Sequence, residues 1–165
     1  MSTEHTFDIV CEVDLQEVAN AIHQALKEIT QRYDFKSSKS SIDFDKTEAL
    51  ITLISEDEYR MNALKDILET KLVKRNISLK ALSYSKLEQA SGNTVRLKVS
   101  LQQGIPIEKA KEMVKLIKNT KLKVTSEIRK DEVRVKGKKL DELQEIISML
   151  KSNDFGIDLQ FRNYR

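Results

Sequence analysis

A strand–helix–strand–strand–helix–strand order that occurs twice along 165 residues predicts an α+β chain of two tandem βαββαβ units. Apolar residues alternate in short runs and recur every three or four positions in four longer ones, which fixes the element types. Each unit is expected to carry a four-stranded antiparallel sheet with two helices on one face, the ferredoxin-like arrangement. The expected division is residues 1–88 and 89–165, with exchange of terminal strands between the units left open.

The first run places Phe7, Ile9, Cys11 and Val13 on one face of a strand. Asp14 is an N-cap for the helix that follows, with Glu17 as its capping-box partner. Leu15, Val18, Ile22, Leu26, Ile29 and Tyr33 then form one apolar stripe. Strands over 41–46 and 49–55 make a hairpin whose turn lacks Gly or Asn, and Ser55 is positioned to cap a second helix. That helix is striped by Met61, Leu64, Ile67, Leu68 and Leu72. Its acidic first turn and basic last turn suit the helix dipole. A weak strand covers 79–84, and residues 85–93 read as a linker.

The order then repeats. Val95, Leu97, Val99 and Leu101 alternate with polar residues; Pro106 opens a helix striped by Ile107, Ala110, Val114 and Ile117. Strands over 122–129 and 132–136 precede a helix carrying Leu140, Leu143, Ile147 and Leu150. Ile157, Leu159 and Phe161 close the chain as a strand.

Composition narrows the function. At 39% apolar and 33% charged, with four Gly and one Pro, the chain is neither collagen-like nor a low-complexity polymer. One cysteine and two histidines supply neither an internal disulfide nor a zinc cluster. No apolar run reaches the length of a membrane helix and the N-terminus lacks a signal pattern, so a cytoplasmic protein without membrane partners is expected. No GxSxG, HExxH or CxxC motif occurs, and His23 and Cys11 read as a helix-flank and a core residue, so no enzyme, catalytic residue or cofactor is expected.

Charge is distributed unevenly along the sequence. Residues 1–90 hold 12 Lys+Arg and 16 Asp+Glu, net −4; residues 91–165 hold 17 and 10, net +7. A basic half suggests an anionic partner. If the apolar alternates of the second unit face its helices, its outer sheet face carries Arg96, Lys98, Lys123, Arg129, Arg134, Lys136 and Arg162. Such a face suits phosphates. It lacks the stacking rings of single-strand RNA readers, Tyr164 being the one candidate. The competing reading is that the chain's own carboxylates use up these charges. A helix N-terminus after Gln102–Pro106 is a weaker phosphate device, and Lys109, Lys111, Lys115, Lys118 and Lys121 make a basic helix flank. Arg32, Phe35 and Lys36 combine ring and cation for a base and its phosphate, with Tyr33 assigned to the helix stripe.

Several segments resemble the YajQ family of small bacterial proteins: Phe7-Asp8-Ile9-Val10, the run from Glu12 to Val18, Arg32-Tyr33-Asp34-Phe35-Lys36, Leu72-Val73-Lys74-Arg75, Gln103-Gly104-Ile105, Lys121-Leu122-Lys123-Val124, Val133-Arg134-Val135 and the ending Phe161 to Arg165. The resemblance spans nearly the whole chain. It implies the duplicated ferredoxin-like fold, a cytosolic location and nucleotide binding, with RNA, mononucleotides and cyclic di-GMP as ligands suggested across the family. It supplies no catalytic residues. Ser37 stands where the family usually has Gly, Cys11 where Ser is common, and Leu140 where a basic residue is frequent. The expected function is therefore non-enzymatic nucleotide or nucleic-acid binding through a basic sheet face. The alternative is a protein–protein scaffold with no specific nucleotide ligand.

Overall fold

The computed structural model describes residues 4–36 and 38–163; the readings on Ser37, Tyr164 and Arg165 lie outside the described residues. The strands are β1 (His5–Val10), β2 (Ser41–Asp45), β3 (Leu50–Ser55), β4 (Leu82–Tyr84), β5 (Glu88–Ala90), β6 (Thr94–Leu101), β7 (Val124–Arg129), β8 (Glu132–Gly137) and β9 (Gln160–Arg162). The helices are α1 (Leu15–Gln31), α2 (Glu58–Lys74), α3 (Ile107–Asn119) and α4 (Leu140–Ser152).

Two antiparallel sheets form, in the orders β7-β8-β1-β9 and β2-β3-β6-β4, with β5 also paired to β6. Each order is the ferredoxin-like one, but the strands come from both halves of the sequence. β1 pairs with β8 and β9, while β6 pairs with β3, β4 and β5. The two first-position strands are exchanged. The compact units are therefore a split unit, Met1–Glu12 with Gln103–Arg165, and an inserted unit, Val13–Gln102. The division expected between residues 88 and 89 does not coincide with either boundary.

The reason is local. Residues 85–93, expected as a linker, contain β5 and a reversal through Ser91-Gly92-Asn93 that pairs Ala90 with Thr94. Gly92 and Asn93 take φ of +71° and +59°, the left-handed conformations a tight hairpin needs. A hairpin closes over a few residues, so β6 pairs with the strand before it and joins the inserted sheet. β4 and β5 line the same edge of β6 in succession. Leu82 faces Leu101 and Glu88 faces Arg96, a register offset of one residue that the bulge between them absorbs.

In the inserted unit, Val18, Ala21, Ile22, Ala25 and Ile29 of α1 and Met61, Leu64, Ile67, Leu68 and Leu72 of α2 pack against Ile51, Leu53, Leu97 and Val99 of the sheet. Asp14 caps α1, accepting from the amides of Gln16 and Glu17 at 3.0 and 3.2 Å. Glu17 does not close the expected box; its carboxylate accepts from Asn20 instead and pairs with Arg75. The cap of α2 is Asp57, on Arg60 N at 2.7 Å, rather than Ser55, which ends β3. The β2–β3 turn does without glycine by placing Ala49 at φ +51°.

In the split unit, Ala110, Met113 and Ile117 of α3 and Leu143, Ile146, Ile147 and Leu150 of α4 cover Phe7, Ile9, Val133 and Val135. Cys11 lies in this core, where burial pushes its thiol pKa up, against a reactive role. Pro106 occupies the N-cap position of α3, one residue before the helix, and β7 begins at Val124 rather than residue 122. Of the last expected strand only Gln160–Arg162 is paired; Ile157 and Leu159 precede it and pack into the same core.

Candidate anion-binding recess of the split unit

The seven cations expected on one sheet face fall on two sheets. Arg96 and Lys98 are in β6 of the inserted unit. There Lys98 is exposed opposite Thr52, and Arg96 Nη2 reaches Glu88 Oε2 at 3.1 Å. Counting charge by unit removes the asymmetry seen along the sequence. The split unit holds 15 Lys+Arg and 13 Asp+Glu, net +2; the inserted unit holds 14 and 13, net +1. Strand exchange brings Glu4, Asp8 and Glu12 to the basic half and takes Arg96 and Lys98 from it.

On the split unit's sheet, most of the expected cations are held by carboxylates. Arg134 forks onto Asp8, with Nε to Oδ1 at 2.8 Å and Nη2 to Oδ2 at 3.2 Å, and Asn163 donates to the same carboxylate at 2.7 Å. The pairing is built by register, since Asp8 lies directly across from Arg134 on one side and Arg162 on the other. Asp8 is 2% exposed, and the Arg134 guanidinium holds its carboxyl below the ordinary value although burial opposes this. Arg162 donates to Glu12, and Arg129 pairs with Glu127 at 3.1 Å. Three arginines of the expected phosphate track are thus engaged within their own unit.

Lys123 and Lys136 differ. They line a recess of about 420 Å³ with Lys138, Lys139, Thr125, Gly137, Glu4 and Glu142. The recess forms where β8 ends and α4 begins, beside the first residues of β7 and the residue preceding β1. Lys136 faces Thr125 and Thr6 across the ladder. Gly137 lets this end of the sheet close on the helix: a Cβ there would stand 3.0 Å from Val124 Cγ1 and 3.3 Å from Leu143 Cδ2. Glu142 is drawn aside, its Oε2 accepting from the Lys123 amide at 2.9 Å. No side chain caps α4, whose N-cap position is Lys139 itself. Four lysines therefore line a recess beside a helix N-terminus whose N-cap residue makes no side-chain hydrogen bond, with Asp141 and Glu142 following in its first turn.

Sequence reasoning missed Lys138 and Lys139, though a signal was present. Lys136-Gly137-Lys138-Lys139 is a basic run interrupted by glycine at a strand-to-helix junction.

The other expected positions are occupied differently. Phe35 is 4% exposed in the inserted unit's core, with the Arg32 guanidinium 5.5 Å from its ring centroid, so it offers no face to a base. Tyr33, assigned to the helix stripe, is instead 89% exposed, because the chain leaves α1 at Arg32 and a short turn over 33–35 reverses which ring points inward. Arg32 forks onto Asp34 at 2.9 and 2.7 Å, and Lys36 is exposed. At the start of α3 the Asp131 side chain lies 2.5 Å from where a Gly104 Cβ would stand. A carboxylate already occupies the approach expected for phosphate.

The family described as "Nucleotide-binding protein YajQ-like" matches residues 5–165. A protein of Desulfitobacterium hafniense is 54% identical over 165 residues, covering all of both chains, and one of Carboxydothermus hydrogenoformans is 53% identical with the same coverage. A protein of Koribacter versatilis is 55% identical over 162 residues, 98% of each chain. All three carry the name nucleotide-binding protein. With its whole length matched and more than half its residues shared, the chain belongs to the YajQ-like family.

Proposed function

We propose that this protein binds nucleotides, and that Lys123, Lys136, Lys138 and Lys139 contact the phosphates. The observation that carries this is the lysine-lined recess at the uncapped start of α4. Its roughly 420 Å³ falls within the range of small-molecule pockets, about 300–1,000 Å³. Relatives spanning the whole chain are named nucleotide-binding proteins, which supports the ligand class. RNA and cyclic di-GMP present the same phosphate chemistry; the size of the recess favours the phosphates of a single nucleotide. The arginines bound to Asp8, Glu12 and Glu127 serve the sheet instead.

The test is titration calorimetry of the full chain with ATP and GTP at low and high salt. Lys123→Ala/Lys136→Ala should weaken binding about tenfold or more, the equivalent of some 1.4 kcal/mol, and by less at high salt where screening already weakens exposed charge contacts. Lys98→Ala, in the other unit, should bind as the parent does. A double variant with unaltered affinity at low salt would overturn the assignment.

A further inference from the structure

We infer that the recess is a base-blind oligophosphate site, which takes the phosphate chain of any nucleoside triphosphate and inorganic tripolyphosphate equally well. This rests on the reading of the recess as the nucleotide site. Among the described residues nothing lining it can stack on a base: the eight are four lysines, two glutamates, a threonine and a glycine, with no ring. Base–aromatic stacking is the usual source of affinity for the base, at about 1–3 kcal/mol. Two of the rings that lie by cations elsewhere are committed. Phe35 is in the core under Arg32, and Tyr84 is half-buried, donating to Glu69 with Lys65 Nζ 4.2 Å from its ring centroid.

Base edges fare no better. Glu142 is turned onto the Lys123 amide, and the other lining carboxylate is Glu4. Lysine contributes compact point charges rather than a planar fork, so it responds to the number of anionic oxygens and not to the identity of what carries them. The uncapped first turn of α4 adds backbone donors of the same indifference. Two of the four lysines flank Gly137, and a strand end that closes on Val124 and Leu143 gives the recess a fixed floor beneath them. Such a site ranks ligands by phosphate count.

Titration of the full chain with ATP, GTP, CTP, UTP, ADP, AMP, adenosine and inorganic tripolyphosphate tests this. The four triphosphates should agree within about threefold, affinity should fall about fivefold for each phosphate removed, and adenosine should not bind. Saturating tripolyphosphate should abolish the heat of ATP binding, and Lys136→Gln should weaken every phosphate ligand by the same factor. A preference for one base above about tenfold, or ATP binding undiminished by tripolyphosphate, would overturn the inference while leaving nucleotide binding intact. Tripolyphosphate binding with no nucleotide binding would sink the nucleotide function instead, and binding of neither would sink both.

Discussion

The split and inserted units share one strand order yet begin their helices differently. In the inserted unit, Asp14 and Asp57 cap α1 and α2; in the split unit α3 starts at Pro106 and α4 at Lys139, neither with a side-chain cap. Where aspartate accepts the first amides, the helix dipole is already complemented and an anion gains little. At α4 a lysine stands at the N-cap and accepts no amide, with Asp141 and Glu142 following in the first turn. Of the two uncapped starts, that of α3 faces Asp131 and that of α4 faces the lysines of the recess. On the proposed reading, the duplicated fold holds its anion-binding chemistry in one copy, through the residues at a single junction.

The largest effect should come from cutting the chain at the wrong boundary. A fragment ending at residue 88 loses β6, whose Val95, Leu97, Val99 and Leu101 are all buried. At about 1.5–3 kcal/mol per side chain this removes 6 kcal/mol or more, comparable with the whole stability of a small domain. Circular dichroism should find that fragment unfolded, whereas residues 13–102, which retain every strand of their sheet, should melt cooperatively. An unfolded 13–102 fragment would break the division into split and inserted units.

Core substitution comes next. Leu64→Ala on α2, at a fully buried position, should cost about 2–5 kcal/mol in chemical denaturation. An effect below 1 kcal/mol would mean the inserted core can collapse around the void.

The contrast in caps can be sharpened from both sides. Asp14→Ala should destabilise by about 1 kcal/mol, and Lys139→Ser should stabilise α4 by a similar amount while weakening nucleotide binding. Gain of stability with unchanged affinity would separate the cap from the site.

Acid sensitivity is the subtlest difference. Because Arg134 depresses the Asp8 pKa in the folded state, the pair's stabilisation is present above the ordinary carboxylate value and lost as pH falls through the folded one. Asp8→Asn should therefore lower stability at neutral pH and flatten its decline in acid; parallel pH–stability curves for the two proteins would remove Asp8 from the account.

How much of this was legible varies by element. All four helices follow from spacing, and α2 buries the five residues its pattern names, whereas Tyr33, Ile107 and Leu140 of the other three expected stripes are exposed. The recess was half legible: Lys123 and Lys136 follow from the basic alternation, but Lys138 and Lys139 sit in a junction with no periodicity to read. The carboxylate partners of the arginines were not legible, because alternation tells which face a residue occupies and not which strand lies beside it. Arg134 meets Asp8 across 126 residues of sequence, a partner no local pattern announces.

What the amino-acid order determined alone is the four helices, the strands other than β5, the doubled element order and the supply of charge, since each depends on residues a few positions apart. Tertiary structure decided which strand completes which sheet, and with it where the charges go. The Gly92-Asn93 reversal commits β6 to its predecessor and leaves a vacant central place in the other sheet that β1 fills. That exchange delivers Asp8 to Arg134 and Glu12 to Arg162, neutralising the sheet face, while the four lysines stay gathered where β8 gives way to α4.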